Sequence, residues 1–454
     1  MAAPSSTLVF KVHRREPELV RPAKPTPYEV KLLSDIDDQQ GLRFHIPVVQ
    51  FYKHAPSIRG KDDPVAVIRR ALSETLVPYY PFAGRLREGP NRKLMVECTA
   101  EGVLFVEADA DVRLTEFGDQ LQPPFACMKE LLFDVPGSNA VLHSPLLLIQ
   151  VTRLKCGSFI FALRLSHCMS DAPGLVQFMS AIGEIARGSH APSIPPVTRS
   201  PPRVTHTHRE YGQQATIDEN NTLTTMPHNF DSMAQISFFF GCSQLSALRR
   251  HAPPHLRQSY SRFEILASCL WKCRTVSLRP DPKETMRMIC LVSMRGKFSD
   301  PPLPIGYYGN TFAFAVAEAP AGELCRNPLG YALDLVRKAK GEVTEEYMKS
   351  VADLMALTGR PDFLKTRWTY LVSDVTRAGF ETVDFGWGSP VYGGPVPGLA
   401  NFCIPCKNKE GEDGIVLAIS LPTQAMERFV KELESMLKSP PNETKTFTHV
   451  MSAL

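Results

Sequence analysis

A chain of 454 residues is longer than one ordinary hydrophobic core requires, so its length predicts about two or three domains. Its composition is that of a globular protein, with 43% apolar and 22% charged residues, and a net charge of +4 is too small for a nucleic-acid-binding protein, in which we expect a dense basic stripe. The eleven cysteines form no tight framework, and neither a secretory leader nor a run of apolar residues long enough for a membrane span is visible, so we expect free thiols in a reducing compartment.

Short runs of β-branched and aromatic residues predict strands in the first half of the chain. Between them, Asp63-Pro64 is typical of a helix start, with an N-cap followed by proline at the first helical position. A second helical pattern begins at Leu175, and Gly188 is placed to end it. The mixture predicts an α/β protein with mixed sheets, and examples of its predicted strands are 93–98, 102–107, 146–153 and 159–165.

The segment 188–230 is the clearest break in the pattern. It is rich in proline, serine, threonine, histidine and asparagine, a composition that does not sustain a packed element. We therefore predict an N-terminal lobe over 1–187, a crossover linker over 188–230, and a C-terminal lobe over 231–454 that resumes with a strand at 236–240. A ligand site between the two lobes is the default expectation.

His167 follows the predicted strand 159–165 and precedes the predicted helix at 175. A histidine at such a junction is held by the sheet, and its ordinary pKa of about 6.5 lets it accept a proton near neutral pH. Asp171, four residues on, either orients the imidazole as in a catalytic dyad or caps the following helix before Pro173. Because two residues at a fixed spacing recur by chance, the pattern alone does not separate a catalytic histidine from a structural one.

Two further motifs have structural interpretations when they are taken alone. The segment 383–390 places aromatic residues between glycines, which is typical of a tight packing loop. Cys403 and Cys406 form a CxxC pair, but no second pair stands at metal-ligand spacing, and we predict no metal site.

Taken together, these motifs resemble the BAHD family of plant coenzyme A-dependent acyltransferases. HxxxD at a strand–helix junction is followed near the C-terminus by Asp-Phe-Gly-Trp-Gly at 384–388. Further matches to the family lie at 33–37, 79–86, 263–275, 295–297 and 306–310. Within the family, the chain is most similar to the branch of alcohol acyltransferases and benzyl alcohol benzoyltransferases, through 32–38, 86–93 and 102–111.

The resemblance implies two chloramphenicol-acetyltransferase-like lobes joined by a long crossover loop, with the active-site channel between them. It implies that His167 is the general base, which takes the proton of the alcohol as the oxygen attacks the thioester. Asp171 is then a scaffold residue that turns away from the channel and pairs with Arg295, and Cys168 is not a nucleophile. Structural support of the site is also expected from Asp384, Gly386 and Trp387.

The chain departs from the family pattern at the oxyanion donor. Many members carry a tryptophan ahead of the DFGWG loop, whereas this chain has Ser373-Asp374. Asn310 is a candidate donor, a backbone N–H or a water is the alternative, and Asp37 is a further candidate channel residue. The crossover is also shorter than in relatives, which bears on lobe docking more than on chemistry.

Coenzyme A needs basic and polar side chains for its phosphates. The matching positions are Lys297 and Ser373, and Arg295 is the alternative if it does not pair with Asp171. Acyl-coenzyme A is expected as a co-substrate, with no permanently bound cofactor, and the chain is expected to be a monomer.

The resemblance predicts an acyl-CoA-dependent O-acyltransferase, and first a benzoyl-CoA:benzyl alcohol O-benzoyltransferase that makes benzyl benzoate. The alternatives are an acetyl-CoA alcohol acetyltransferase, acylation of an alkaloid or phenolic acceptor, and a catalytically silent binding module. The chain ends in Ser452-Ala453-Leu454, which resembles the peroxisomal Ser-Lys-Leu signal except at Ala453. We predict a peroxisomal location, with the cytosol as the alternative.

Overall fold

The computed structural model describes residues 8–54, 62–118, 121–135, 141–197, 233–299, 301–358, 368–398 and 400–438. Most of the predicted crossover, 198–230, and the C-terminal tripeptide Ser452-Ala453-Leu454 lie outside the described residues. Within the described part, no helix is long and apolar enough to span a membrane.

The strands of the described residues are numbered in chain order. They are β1 (Val12–Arg14), β2 (Glu18–Val20), β3 (Val30–Leu32), β4 (His45–Tyr52), β5 (Arg85–Glu88), β6 (Leu94–Glu97), β7 (Val103–Ala110), β8 (Leu147–Leu154), β9 (Phe159–Ser166), β10 (Met233–Phe240), β11 (Thr285–Ser293), β12 (Phe312–Pro320), β13 (Thr369–Asp374), β14 (Tyr392–Pro395), β15 (Asn401–Lys407) and β16 (Asp413–Pro422). The α-helices are α1 (Pro64–Thr75), α2 (Met128–Leu131), α3 (Ala172–Ala186), α4 (Cys242–Arg249), α5 (Arg262–Leu278), α6 (Ala321–Arg326), α7 (Leu329–Gly341), α8 (Glu345–Thr358) and α9 (Thr423–Leu437).

The first lobe is built on a mixed sheet of strand order β1-β7-β8-β9-β4-β14, in which β2 also pairs with β7. Strands β7 and β8 run parallel, while β9 pairs antiparallel with β8 and with β4. Helices α1 and α3 pack against each other, and α1 also contacts β8. Strand β9 is buried over most of its length, so its end, which leads to His167, has a rigid base.

The second lobe is built on a sheet of order β10-β16-β15-β13-β11-β12. Its core lies between this sheet and helices α5, α7 and α9. Strand β12 has alternating faces: the residues that join this core are all small, which lets α7 pack closely on the strand. They are Ala313, Ala315, Ala317 and Ala319.

The helix ends follow from local sequence. The Asp63 carboxylate accepts bonds from the N–H groups of Val65 and Ala66, which caps α1 as predicted. Asp171 caps α3 through the N–H of Gly174, and Gly188 follows its end with φ +101°, a conformation that favours glycine. The predicted strands in the first half correspond to β6, β7, β8 and β9, and the strand predicted at 236–240 is the end of β10.

The first lobe includes residues from the second half of the chain. Strand β14 pairs antiparallel with β4, and Phe380, Phe385 and Trp387 are buried in the first core. In return, Ile36 is buried in the second core. Each lobe therefore includes residues from the other side of the border predicted at 231. The site between the lobes is formed by residues from both halves of the chain.

Candidate active site

His167 stands directly after β9, in a short helical turn over 167–169. Its backbone N–H donates to the carbonyl of Phe44, ahead of β4, at 2.9 Å. Its own carbonyl accepts a bond from Nδ2 of Asn310, in the second lobe, at 2.8 Å. The main chain of His167 is therefore fixed from both lobes.

Two aromatic rings flank the imidazole of His167. The ring of Phe44 lies 5.4 Å away at an interplanar angle of 61°, and that of Phe312 lies 6.0 Å away at 60°. The side chain keeps some exposure, but burial among these groups lowers the pKa of His167 below its ordinary 6.5. The imidazole is neutral at pH 7, as a general base must be.

Asn310 is held by Asp37. The backbone N–H and the Nδ2 of Asn310 both donate to Oδ1 of Asp37, at 2.7 and 2.8 Å. The hydroxyl of Ser34 donates to Oδ2 of the same carboxylate at 2.6 Å, and burial raises the pKa of Asp37. Because an amide nitrogen carries two hydrogens, the bonds to Asp37 and to the carbonyl of His167 use both.

Asn310 therefore has no side-chain N–H left for a developing oxyanion, which is at odds with the donor role predicted for it. Oδ1 of Asn310 and Nδ1 of His167 are both buried. Hydrogen bonding by Asn310 also raises the pKa of His167, against the larger lowering by desolvation. Asn310 is therefore a positioning residue that holds the main chain of His167, and since Nδ1 is buried, Nε2 is the imidazole nitrogen left to face a substrate.

Asp171 is turned away from the imidazole. Its carboxylate accepts two bonds from Arg295, at 2.6 and 3.3 Å, together with bonds from Thr311 and from the N–H of Gly174. These bonds use the accepting capacity of the carboxylate. Arg295 also donates to the carbonyls of Tyr307 and Gly309, so the contact predicted from the resemblance joins α3 to the loop before β12.

Cys168 is next to the base but is not poised for attack. Its thiol is fully buried and donates to the carbonyl of Leu42 at 3.2 Å. Burial raises the pKa of the Cys168 thiol well above its ordinary range, so the thiolate required of a nucleophile is not available.

The 384–388 loop supports the site from the far end of β9. Oδ1 of Asp384 accepts bonds from the N–H groups of Gly386 and Gly388, at 2.7 and 2.9 Å, and Gly386 has φ +108°. The ring of Trp387 packs on that of Phe159, the first residue of β9, at 5.3 Å. Since β9 rises about 3.3 Å per residue, the loop lies roughly 25 Å along the strand from His167.

The two candidates for coenzyme A binding lie in the second lobe. Lys297 is exposed on the turn that follows β11, and its N–H donates to the carbonyl of Met294. Ser373 is buried in β13 opposite Phe402 of β15. Sequence reasoning missed Phe44 and Phe312. The signal for Phe312 was its place just after the matched segment 306–310, and Phe44 had no comparable signal.

Known proteins match the whole chain. A family model described as "Transferase family" matches residues 10–436. Benzyl alcohol O-benzoyltransferase of Petunia hybrida is 62% identical over 465 aligned positions, which cover 99% of each chain. The protein of the same name from Nicotiana tabacum is 61% identical with the same coverage, and alcohol acyl transferase 2 of Malus domestica is 52% identical over 96% of each chain.

Solved structures show the same fold. Vinorine synthase superposes with a TM-score of 0.67 at 21% identity, covering 94% of this chain and 99% of that one. TRI101 of F. sporotrichioides, in complex with coenzyme A and T-2, superposes with a TM-score of 0.62 at 16% identity, covering 89% and 98%. The predicted two-lobed α/β fold is confirmed. With its HxxxD histidine at the junction of the lobes and matches along its whole length, the chain belongs to the Transferase family, the BAHD family of acyl-CoA-dependent O-acyltransferases.

Proposed function

We propose that the protein transfers the benzoyl group of benzoyl-CoA to the hydroxyl of benzyl alcohol and so forms benzyl benzoate. The observation that carries the proposal is a neutral His167 flanked by the rings of Phe44 and Phe312. Aromatic side chains beside the base suit substrates whose rings are attached at the reacting atoms. The names of the relatives at 62% and 61% identity support the same pair of substrates.

The reaction needs one base and no covalent enzyme intermediate. Nε2 of His167 takes the hydroxyl proton while the alcohol oxygen attacks the thioester carbonyl. The tetrahedral intermediate then collapses, the C–S bond breaks, and the leaving thiolate takes the proton back from the imidazolium. Because a thiol has a pKa of about 8.5, the leaving group needs little acid assistance.

In this proposal acyl-coenzyme A is a co-substrate that arrives and leaves in each turnover, with no permanently bound cofactor. Lys297, which is exposed after β11, and Ser373 in β13 are the groups proposed to meet its phosphates and polar arm. The protein is proposed to work as a monomer, since both lobes that enclose His167 come from one chain.

A donor-by-acceptor matrix tests the proposal. Purified protein is mixed with benzoyl-CoA or acetyl-CoA and with benzyl alcohol or 1-hexanol, and both thiol release and ester are measured. We expect benzyl benzoate to form with the highest kcat/KM. The relative at 52% identity is named alcohol acyl transferase 2, which supports transfer of an acyl group other than benzoyl to an alcohol as the second candidate. A preference for acetyl-CoA over benzoyl-CoA would replace the benzoyl assignment. Absence of thiol release with every pair would indicate a binding module.

His167→Ala tests the mechanism. Loss of the general base is expected to lower kcat at least about a hundredfold, because the hydroxyl is a poor nucleophile without proton removal. His190→Ala, at an exposed position after α3, is the matched control and should keep the parent rate. A folded His167→Ala protein with near-parental turnover would contradict the proposed mechanism.

A further inference from the structure

Strand β12 has a second face, opposite its alanine face, and this face is turned towards the first lobe. Phe312 belongs to the first core although it lies in a strand of the second sheet. Phe314, Leu291 and Leu371 also pack against the first core, and each is only partly buried. Because Phe314 opposes Leu291 and Ile289 opposes Leu371, these side chains line one face of three neighbouring strands.

We call Phe312, Phe314, Leu291 and Leu371 the second-lobe wall. The wall begins at the base, since the ring of Phe312 contacts that of His167 and the ring of Phe314 stands edge-on to Phe312, at 5.4 Å and 85°. It ends at the ion pair of Arg287 and Glu318, whose strand positions oppose each other at the start of β11. The wall is therefore an apolar stretch of limited length that starts at the reacting centre.

The position of Phe314 is fixed while part of its ring remains uncovered. Its carbonyl accepts a bond from the hydroxyl of Tyr347 in α8 at 3.3 Å, and its neighbours Ala313 and Ala315 are packed in the second core. A large apolar side chain that faces the other lobe without being covered by it offers surface to an apolar group from solution.

We propose that Phe314 determines the selectivity of this enzyme for a substrate that carries an aromatic ring, an inference that rests on the proposed function. In benzoyl-CoA the ring is attached to the reacting carbon, and in benzyl alcohol one carbon separates it from the reacting oxygen. Either ring must lie within side-chain reach of the residues beside His167. Phe44 supplies that contact from the first lobe, and Phe312 with Phe314 supplies it from the second.

Phe314→Leu keeps an apolar side chain and removes the flat ring, and Phe314→Tyr restores the ring. Two competition arms locate the contact. In the acceptor arm, benzyl alcohol competes with 1-hexanol at fixed benzoyl-CoA; in the donor arm, benzoyl-CoA competes with acetyl-CoA at fixed benzyl alcohol. We expect Phe314→Leu to lower the aromatic-to-aliphatic ratio of kcat/KM in one arm by about three- to tenfold, the scale of an aromatic contact, and Phe314→Tyr to keep it.

Phe298→Leu is the matched control, because Phe298 is a partly buried ring that packs against the second core. It should leave both ratios unchanged even if it lowers the melting temperature, since a general loss of stability acts equally on competing substrates. If the parent makes benzyl benzoate and Phe314→Leu leaves the ratio unchanged in both arms, the assignment of Phe314 is overturned and the proposed function stands. A parent that makes no benzyl benzoate but esterifies other alcohols would instead contradict the proposed function.

Discussion

The pKa of His167, the proposed general base, is set by opposing effects at the imidazole. Desolvation between Phe44 and Phe312 lowers the pKa, while backbone hydrogen bonding, the charge of Asp171 and the side chain of Asn310 each raise it by a smaller amount. The net lowering keeps the base neutral at physiological pH. The cost is a weaker base, which is tolerable because the alcohol loses its proton only as the new C–O bond forms.

The acid limb of the pH–rate profile follows from this shift. A protonated imidazole cannot accept the hydroxyl proton, so kcat/KM falls only when the pH drops through the pKa of His167 in the free enzyme. Since that pKa lies below 6.5, we expect the fall in kcat/KM to be centred below pH 6.5, with a plateau on the alkaline side. Initial rates in buffers of constant ionic strength measure it. A limb centred above pH 6.5 would show that His167 is not desolvated in this way.

Asn310→Ala removes the amide that holds the main chain of His167. We expect kcat to fall about tenfold to a hundredfold with a smaller effect on KM, because a misplaced base costs rate and leaves the binding surfaces in place. The acid limb should also move to lower pH, since the contribution of Asn310 raises the pKa of His167. A purely structural role would lower stability without moving the limb, and an unmoved limb would therefore contradict the assignment.

At the scale of elements, the N-terminus of α3 joins the two lobes. Asp171 caps this helix and pairs with Arg295, which itself binds the loop carbonyls of Tyr307 and Gly309. The side chain of Asp171 is only 7% exposed, so its removal leaves the guanidinium without its carboxylate. The aspartate of HxxxD thus connects α3 to Arg295 and Thr311 of the second lobe.

Asp171→Ala is expected to lower the free energy of unfolding by about 3 kcal/mol or more, from the lost cap and the stranded charge. Urea unfolding monitored by fluorescence measures it. Asp63→Ala is a matched control, because Asp63 also caps a helix and pairs with an arginine, Arg153, but away from His167. It should lose less stability, since Asp63 is more exposed. An Asp171→Ala protein as stable as the parent yet inactive would show that Asp171 orients the imidazole.

At the scale of the whole molecule, segments from the second half of the chain form part of the first lobe. Strand β14 completes the first sheet, and the 384–388 loop packs on the start of β9. The hydroxyl of Tyr52 in β4 donates to the carbonyl of Val383, and Nε2 of Gln50 donates to that of Phe380. The first lobe therefore depends on residues that are more than 300 positions away, as the separations of 331 and 330 show.

The C-terminal tripeptide resembles a signal for a cellular compartment. We propose that Ser452-Ala453-Leu454 directs the protein to peroxisomes as a receptor-read signal of the Ser-Lys-Leu type. A fluorescent protein fused at the N-terminus leaves Leu454 free, and it should give a punctate signal that coincides with a peroxisomal marker. The same fusion without residues 452–454 should be diffuse in the cytosol. A diffuse signal from both fusions would leave the cytosol as the location.

The sequence by itself determined the elements whose causes are local. The cap and proline of α1, the cap of α3 and the glycine after it act within a few residues, and the strands follow from alternation along one segment. The family was also readable, because HxxxD and 384–388 together resemble its motifs, and that resemblance predicts His167 as the base. The role of Asn310 was not readable, since it depends on Asp37 and His167, which are 273 and 143 positions away. The partners of an amide are the acceptors that the docked lobes bring near it, so tertiary structure decided the role of Asn310. It also decided the second-lobe wall, because the outer face of β12 lines a site only when the first lobe lies opposite it.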